Sequence, residues 1–424
     1  MRSDGGSDPP PSPGGAALRA LRSRNFAVLW FGNLLSNTGT WMQNVAEPWL
    51  VLRLSNSPVL LGLDSFMTDA PVWALTLLGG VLADRRDRRR TALLFQAIQA
   101  FCPVLIVALL ATGRIQVWMV IALSLVVGVT DAISGPSINA LVPSSVDEDD
   151  VPSAVALNSA QFNLSRVLGP LFAGVVMATV GPLVCFALNA ASYAPYLLAI
   201  YALRLPPPPP RRAIEPESRR GRARASLLEA FRAIARKRRL RRAFVTVTIT
   251  SLLAMPTITF LPVLVRDAFH LGSAEFGGTL SVFGFGGLVG AAGVLPLKTN
   301  RHRQIVSNLA ALALSACIVA MALDRVFGVL LLLVFLGGAA MVASNTAANA
   351  ILQSSIDGRI RGRVSSMYTL ALRGGAPLGS LATGIVASHS DVRTALLING
   401  SLAVVCHAAL VRAARVRRRA HGEP

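Results

Sequence analysis

Glu47, Asp64, Asp69, Asp131, Arg166 and Arg373 each stand inside a long apolar run. An ion is costly in such surroundings, so each is a functional candidate. A carboxyl taken out of water holds its proton more readily and can load and release it near neutral pH. Glu47 and Asp69 are therefore proton-coupling candidates, with Arg166 beside them. A solvated or hydrogen-bonded place near an outer mouth is the competing reading for Glu47 and, more strongly, for Asp64. Other chemistries fall away. Cys102, Cys185, Cys317 and Cys406 are widely spaced with neither a CxxC pair nor a companion histidine, and His270, His302, His389, His407 and His421 are scattered singly. Disulfides, a metal centre, a cofactor and a nucleophile–base constellation are not expected, and the chain does not read as an enzyme.

Groups so placed need a bilayer-spanning scaffold. The chain has 424 residues, 53% hydrophobic and 15% charged, with a mean hydropathy of +0.55. That is more apolar than one or two soluble cores require. A hydrocarbon core about 30 Å thick takes roughly 20 residues of helix. Runs of that order fall near 25–54, 58–83, 90–112, 115–140, 151–180 and 181–204, then near 242–266, 273–297, 304–323, 326–350, 362–387 and 392–411. Glycine and proline inside them are tolerable, because neighbouring helices satisfy the freed backbone groups. The expected fold class is an all-α membrane protein of twelve transmembrane helices.

The formal net charge of +20 would suggest nucleic acid if it formed a patch, yet the arginines sit in short connections. Arg22 and Arg24, Arg85 to Arg90, the 205–241 linker, Lys298 with Arg301 and Arg303, Arg359 with Arg361 and Arg363, and Arg412 to Arg419 fall on alternate connections. Positive charge stays on the cytoplasmic side, so both termini are expected there, in a cell inner membrane, with lipid and not nucleic acid as partner. The acidic loop Asp147-Glu148-Asp149-Asp150 breaks the pattern. Counted from that basic side, Arg166 lies roughly 21 Å deep, near the midplane, and Asp131 is nearer the cytoplasmic end. Residues 1–20 read as a disordered tail rather than a signal peptide, since the apolar stretch that follows is too long and carries Glu47. In the linker, Pro206 to Pro210 form a stiff polyproline stretch, and Ser226 to Arg242 reads either as an amphipathic helix on the anionic leaflet or as a plain stop signal. Residues 412–424 read as a basic tail.

Internal repetition organises the rest. Asn139-Ala-Leu-Val-Pro-Ser-Ser-Val-Asp147 returns as Asn349-Ala-Ile-Leu-Gln-Ser-Ser-Ile-Asp357, an offset of 210 residues that also superposes Gly169 on Gly379 and Gly174 on Gly384. Two six-helix bundles, 21–204 and 242–411, are expected as parallel repeats with a solute site between them near the midplane.

Gly80-Val-Leu-Ala-Asp84-Arg85-Arg86-Asp87-Arg88-Arg89-Arg90 resembles the signature cytoplasmic loop of the major facilitator superfamily, GxxxD(R/K)xGRR, with Asp87 at the second glycine. Leu21-Arg22-Ser23-Arg24-Asn25-Phe26, the run from Asn37 to Gln43, Trp49 to Leu52, and Ala156-Leu157-Asn158-Ser159 resemble the subfamily of enterobactin exporters and related secretion transporters. The likeness spans about residues 21 to 410. It implies a cytoplasmic gate of Gly80, Asp84, Arg85, Arg88, Arg89 and Asp131. Within it, Asp131 pairs with Arg88 or, alternatively, with Arg166. Gly169-Pro170-Leu-Phe-Ala173-Gly174 resembles the GPxxGG core that marks drug–proton antiporters, and plain helix packing is its competing reading. Ala173 replaces one glycine there, and Ser165 and Ala156 stand at upstream glycine positions. Asn33, Asn37, Thr250 and Asn345 fall on helices that line the pathway in related transporters. The resemblance thus implies a monomeric, proton-coupled exporter of a small amphipathic solute, siderophore-like or drug-like, working by alternating access. A nutrient importer shares the fold, and a non-transporting scaffold, sensor or lipid scramblase is the reading of another class.

Overall fold

The computed structural model describes residues 18–85, 87–203, 231–297, 299–354 and 358–420. The side chains of 73–74, 76–85, 353, 358–363, 365–366 and 414–420 lie outside that description. The described chain is helical almost throughout: α1 (Arg24–Ser55), α2 (Pro58–Arg85), α3 (Arg88–Ala111), α4 (Val117–Ser144), α5 (Val151–Thr179) and α6 (Pro182–Ala202). After these come α7 (Arg238–Ala268), α8 (Ser273–Val294), α9 (Asn300–Leu323), α10 (Phe327–Ser354), α11 (Gly358–His389) and α12 (Val392–Ala420). Among the described residues ten helices, α3 to α12, are long and apolar enough to cross a membrane. α1 has the length, 32 residues, but Asn33, Asn37, Gln43, Asn44 and Glu47 lower its hydropathy.

Local chemistry sets the boundaries. α1 stops at Asn56, which turns left-handed at φ 51°, a conformation asparagine tolerates. Asp87 caps α3 by accepting from the Arg89 and Arg90 backbone N–H groups at 2.9 and 3.3 Å, so the residue at the signature's second glycine position is an N-cap. α7 contains two π-helical turns, Thr250–Ala254 and Leu264–Ala268, and the first lies where Gly375 and Gly379 of α11 press on Leu252. Short connections make successive helices antiparallel. The arginines therefore gather at one end, hereafter the basic end.

Within the first six helices α1 packs along α5 and α6, α2 along α4, and α3 on α4 and α6; within the last six α10 packs along α8 and α9, and α12 along α9. Two contacts, α2 on α11 and α5 on α8, carry most of the joint between the groups. Glycines bring these backbones together: a Cβ on Gly174 would stand 2.5 Å from the Gly277 carbonyl oxygen of α8, and one on Gly384 would stand 2.6 Å from that of Pro58 on α2. Gly169 abuts Trp41 and Thr38 of α1, and Gly379 abuts Leu252 and Pro256 of α7. Gly128 meets α2 at Met67 and Thr68, and Gly338 meets α8 at Phe283.

The apolar core is divided unevenly along the helix axes. At the end opposite the basic end a single large cluster takes residues from both groups, among them Trp49, Leu52, Leu61, Leu261, Leu264 and Phe276. Trp49 stacks on Phe276 at 5.5 Å. Arg266 of α7 donates to the Leu52 carbonyl at 3.1 Å and to Asn56 Oδ1 at 2.5 Å. Toward the basic end the clusters separate, two drawn from the first group and one from the last six helices with the segment before them. Among the described side chains the groups are thus joined in one apolar cluster at one end and hold separate clusters at the other.

Several expected boundaries change. A 3-10 turn, Arg19–Arg22, buries Ala20 with Phe26, Val142 and Ala154, so residues 18–20 are ordered; residues 1–17 lie outside the described set. Arg19 pairs with Asp150 at 3.3 Å, which gives the acidic loop a local counter-charge. α7 begins at Arg238 and α12 runs on to Ala420, so part of the expected linker and tail is helix. Residues 204–230, which include the first five positions of the expected Ser226–Arg242 segment, lie outside the described set. Ile234, in the middle of that segment, is buried in the last group's basic-end cluster and faces protein rather than lipid.

Candidate functional site

Glu47, near the far third of α1, meets α2 and α4 through one hydroxyl. Ser124 Oγ lies 2.7 Å from Glu47 Oε1 and 2.6 Å from Asp64 Oδ1. A hydroxyl has one hydrogen. Only one of the two carboxyl oxygens can receive it, so the other short contact requires a proton on a carboxyl. Gln43 Nε2 donates to Glu47 Oε2 at 2.9 Å, and Asn189 Nδ2 of α6 donates to Gln43 Oε1 at 2.7 Å. This network fixes the orientation of Glu47 by spacing one helical turn along α1, Gln43 to Glu47. The arrangement is able to hold a proton in the interior of the first group, behind the joined end.

A second charged set lies midway along the helices. Arg373 of α11 forms an ion pair with Asp131 of α4 at 3.1 Å, and Asp69 of α2 lies within electrostatic reach of both. The pair crosses between the groups. Its side chains are 41% and 43% exposed, and a charge pair at this depth with that exposure faces the space between the groups rather than hydrocarbon. Asp131 thus pairs with neither Arg88 nor Arg166. α4 continues to Ser144, which puts Asp131 at mid-depth, well away from the end loop. Arg88 is exposed at the start of α3. Arg89 donates to the Tyr201 carbonyl of α6 and stands 5.4 Å from its ring centroid. The side chains of Gly80, Asp84 and Arg85 lie outside the described residues.

A third set surrounds Arg166 of α5, whose guanidinium lies 5.7 Å from the Trp41 ring centroid on α1. Asn33 and Asn37 donate to Gln161 Oε1 at 3.1 and 3.4 Å, and Gln161 Nε2 donates to Ser165 Oγ at 3.1 Å. The two asparagines are half-buried and bind α1 to α5 one turn from Arg166. Gly169, Pro170 and Gly174 follow on the same helix. Gly169 sets the α1 contact and Gly174 the α8 contact, where Ser281 Oγ donates to the Pro170 carbonyl at 3.3 Å. Asn345 of α10 is buried. Thr250, expected on a cavity wall, is fully buried instead and lies 3.5 Å from His407 Nε2 of α12.

Ser124, Gln43, Asn189 and Gln161 were not singled out in the sequence, although polar residues one turn from an intramembrane acid or amide, as in Gln43–Glu47 and Gln161–Ser165, carry the signal. Among the described residues no three His, Cys, Asp or Glu side chains gather as a metal site.

The profile of a family described as transmembrane secretion effector matches residues 15–422. The multidrug efflux pump Tap of Mycobacterium tuberculosis is 26% identical over 394 residues, covering 91% of this chain and 92% of its own. The staphyloferrin A transporter of Staphylococcus aureus is 25% identical over 87% of this chain and 90% of its own. An enterobactin exporter of Citrobacter koseri is 26% identical over 49% of this chain and 48% of its own. Among solved structures, an inward-facing bacterial homologue of the human lysosomal transporter Spinster has a TM-score of 0.67 at 15% identity, over 93% of this chain and 97% of that one. An inward-facing bacterial homologue of ferroportin has a TM-score of 0.64 at 14% identity, over 91% and 98%. At these identities the structures speak for the fold.

Proposed function

The chain belongs to the transmembrane secretion effector family of major facilitator transporters, and from that premise we propose that it exports a small amphipathic organic solute, siderophore-like or drug-like, in exchange for protons. It is a multi-pass membrane transporter, not an enzyme. The observation that carries proton coupling is the Ser124 hydroxyl held between Glu47 and Asp64, a contact set that needs a carboxyl proton.

Twelve spans in two parallel six-helix repeats belong to the same proposal. Gly128 and Gly338, Gly169 and Gly379, and Gly174 and Gly384 are each 210 residues apart and touch corresponding helices, which supports the repeat. The arginine-rich connections support cytoplasmic termini in the inner membrane, with one chain as the working unit. Alternating access then has a physical basis. The joined end holds while solute enters between the separated basic-end clusters. Proton transfer at Glu47 and Asp64, and rearrangement around Asp131–Arg373, shift the balance between the two orientations. Export draws support from the Gly169-Pro170 segment and from the efflux pump and siderophore transporters to which the chain is similar.

The test is uptake into inside-out vesicles, screened over siderophores and amphipathic drugs, with and without an imposed pH gradient. Accumulation that requires the gradient is the expected result. Accumulation indifferent to the gradient removes proton coupling, and a panel with no transport favours the scaffold reading.

A further inference from the structure

Arg166 is a mid-depth cation for which the described residues supply no carboxylate. Asp131 is paired with Arg373 at 3.1 Å, Asp69 lies within electrostatic reach of Arg373, and Glu47 and Asp64 are engaged by Gln43 and Ser124. The guanidinium rests on Trp41 and feels the Tyr368 hydroxyl of α11. An arginine stacked on an aromatic ring keeps its N–H fork free to take an anion in two parallel hydrogen bonds. Arg166 is half-buried, and a cation partly withdrawn from water without a counter-charge is costly to keep in a membrane protein.

An independent observation points at the same place from the other group. Asn345 is only 9% exposed, yet neither its amide nitrogen nor its amide oxygen has a hydrogen-bond partner. Tyr368, between the two, donates its hydroxyl to the Asn345 backbone carbonyl at 3.1 Å. Buried amides are ordinarily satisfied, so a donor and an acceptor stand unused on the residue whose backbone carbonyl holds the Tyr368 hydroxyl. Trp41 and Arg166 come from α1 and α5, Asn345 and Tyr368 from α10 and α11. The free hydrogen-bonding capacity is thus split across the two groups of helices.

We propose that Arg166 seats the carboxylate of a small organic acid in the space between the groups, with Asn345 pairing a polar group on the same solute. This deepens, and rests on, the export reading by naming the solute class as anionic. The acid bridges the groups, because its charge is held by the first and its polar body by the second. Arg166 then serves the solute, while proton traffic belongs to the carboxyls.

The test is equilibrium binding by the full chain in lipid nanodiscs, at one pH on both faces, with protein-free nanodiscs subtracted. The probes are 2-naphthoate and its uncharged counterpart 2-naphthamide, matched in ring and size, followed by calorimetry. The wild type is expected to bind the acid about tenfold or more tightly than the amide. Arg166→Gln is expected to erase that preference while keeping the amide's affinity. Arg166→Lys, which keeps the charge and loses the fork, is expected to fall between and replaces the glutamine variant should that fail to fold. Equal affinity for the two probes in the wild type, saturable binding of neither, or an acid preference that survives the Arg166 variants overturns the proposal. Because no gradient or flux enters the measurement, proton-driven efflux of an uncharged drug in vesicles stands or falls separately.

Discussion

The first six helices and the last six use the same glycine contacts and hold very different interiors. Gly169 and Gly174 do for α5 what Gly379 and Gly384 do for α11, one facing within the group and the other across the joint. The charges do not follow. Glu47, Asp64, Asp69, Asp131 and Arg166 all lie in the first group, while the last answers with Arg373 and a buried His407 whose Nδ1 lies 2.9 Å from Ser315 Oγ. Backbone-to-backbone packing tolerates little change, because a single added methyl at such a contact forces helices apart. Interior polar chemistry is free to diverge wherever the packing is left intact. The comparison teaches that packing and interior charge are carried by separate residues, and that the interior carboxylates are concentrated in one group.

Equivalence of the two joints is the easiest claim to break. Gly174→Ala and Gly384→Ala are each expected to lower stability by about 1–3 kcal/mol and to abolish efflux, as measured by melting in detergent and by vesicle uptake. Gly284→Ala, whose Cβ meets nothing nearer than 3.8 Å, should do neither. If only one joint variant is harmful, the groups do not share their load equally. The asymmetry of charge predicts the next effect. Glu47→Gln and Asp64→Asn are expected to remove the dependence of uptake on an imposed pH gradient while expression is unchanged, and Asp69→Asn should weaken it. Unaltered gradient dependence in all three would take the first group's carboxyls out of the coupling.

The one ion pair that crosses the joint sharpens the comparison further. Asp131→Asn or Arg373→Gln should slow efflux several-fold and lower stability by about 1–2 kcal/mol, between the exposed and the buried limits for such pairs. Exchange of the two charges, Asp131→Arg with Arg373→Asp, should recover part of the loss; no recovery would mean that position matters more than pairing. The smallest effect lies outside the membrane. Asp391 caps α12 by accepting from Thr394 N at 2.9 Å and Thr394 Oγ1 at 2.8 Å, and the Thr394 backbone N–H holds its carboxyl below the ordinary range. That contribution is present above the ordinary carboxylate pKa and is lost as pH falls through the lower folded value. Asp391→Ala should cost about 1 kcal/mol and leave efflux unchanged. The corresponding start of α6 has Gly181 at φ 90° with no side-chain cap, so acid should loosen the last group's end before the first's.

Much of the scaffold was legible because it follows from one-dimensional signals. Span length, arginine placement and the 210-residue glycine pairs need no knowledge of which helix touches which. The site was legible only as a set of ionisable residues. Asp131 finds Arg373 more than two hundred residues away, on a helix that the loop-based expectation did not consider, and the true length of α4 moved it inward. Thr250 misled for another reason: Thr246, Thr248, Ser251 and Thr257 spread small polar groups over several faces of α7 around that residue, so nothing in the pattern says which face looks into the space between the groups. Gln161 and Ser124 are modest polar residues in apolar helices, and only their neighbours reveal their use.

In the proposed alternating-access cycle, the apolar cluster that ties Trp49 and Leu52 to Phe276 and Leu264 also sets a threshold. Parting the joined end exposes that cluster, so the two orientations differ in free energy before any ligand arrives. To turn a resting ratio of 99:1 into its reverse takes a differential affinity of about 5.5 kcal/mol. In the proposed cycle solute and proton supply that difference between them, and neither a solute that binds both orientations alike nor an idle pH gradient can do so. The cluster therefore acts as a toll on unproductive turnover: a larger one keeps the membrane tight and demands more selective ligands, and a smaller one would transport more freely and leak.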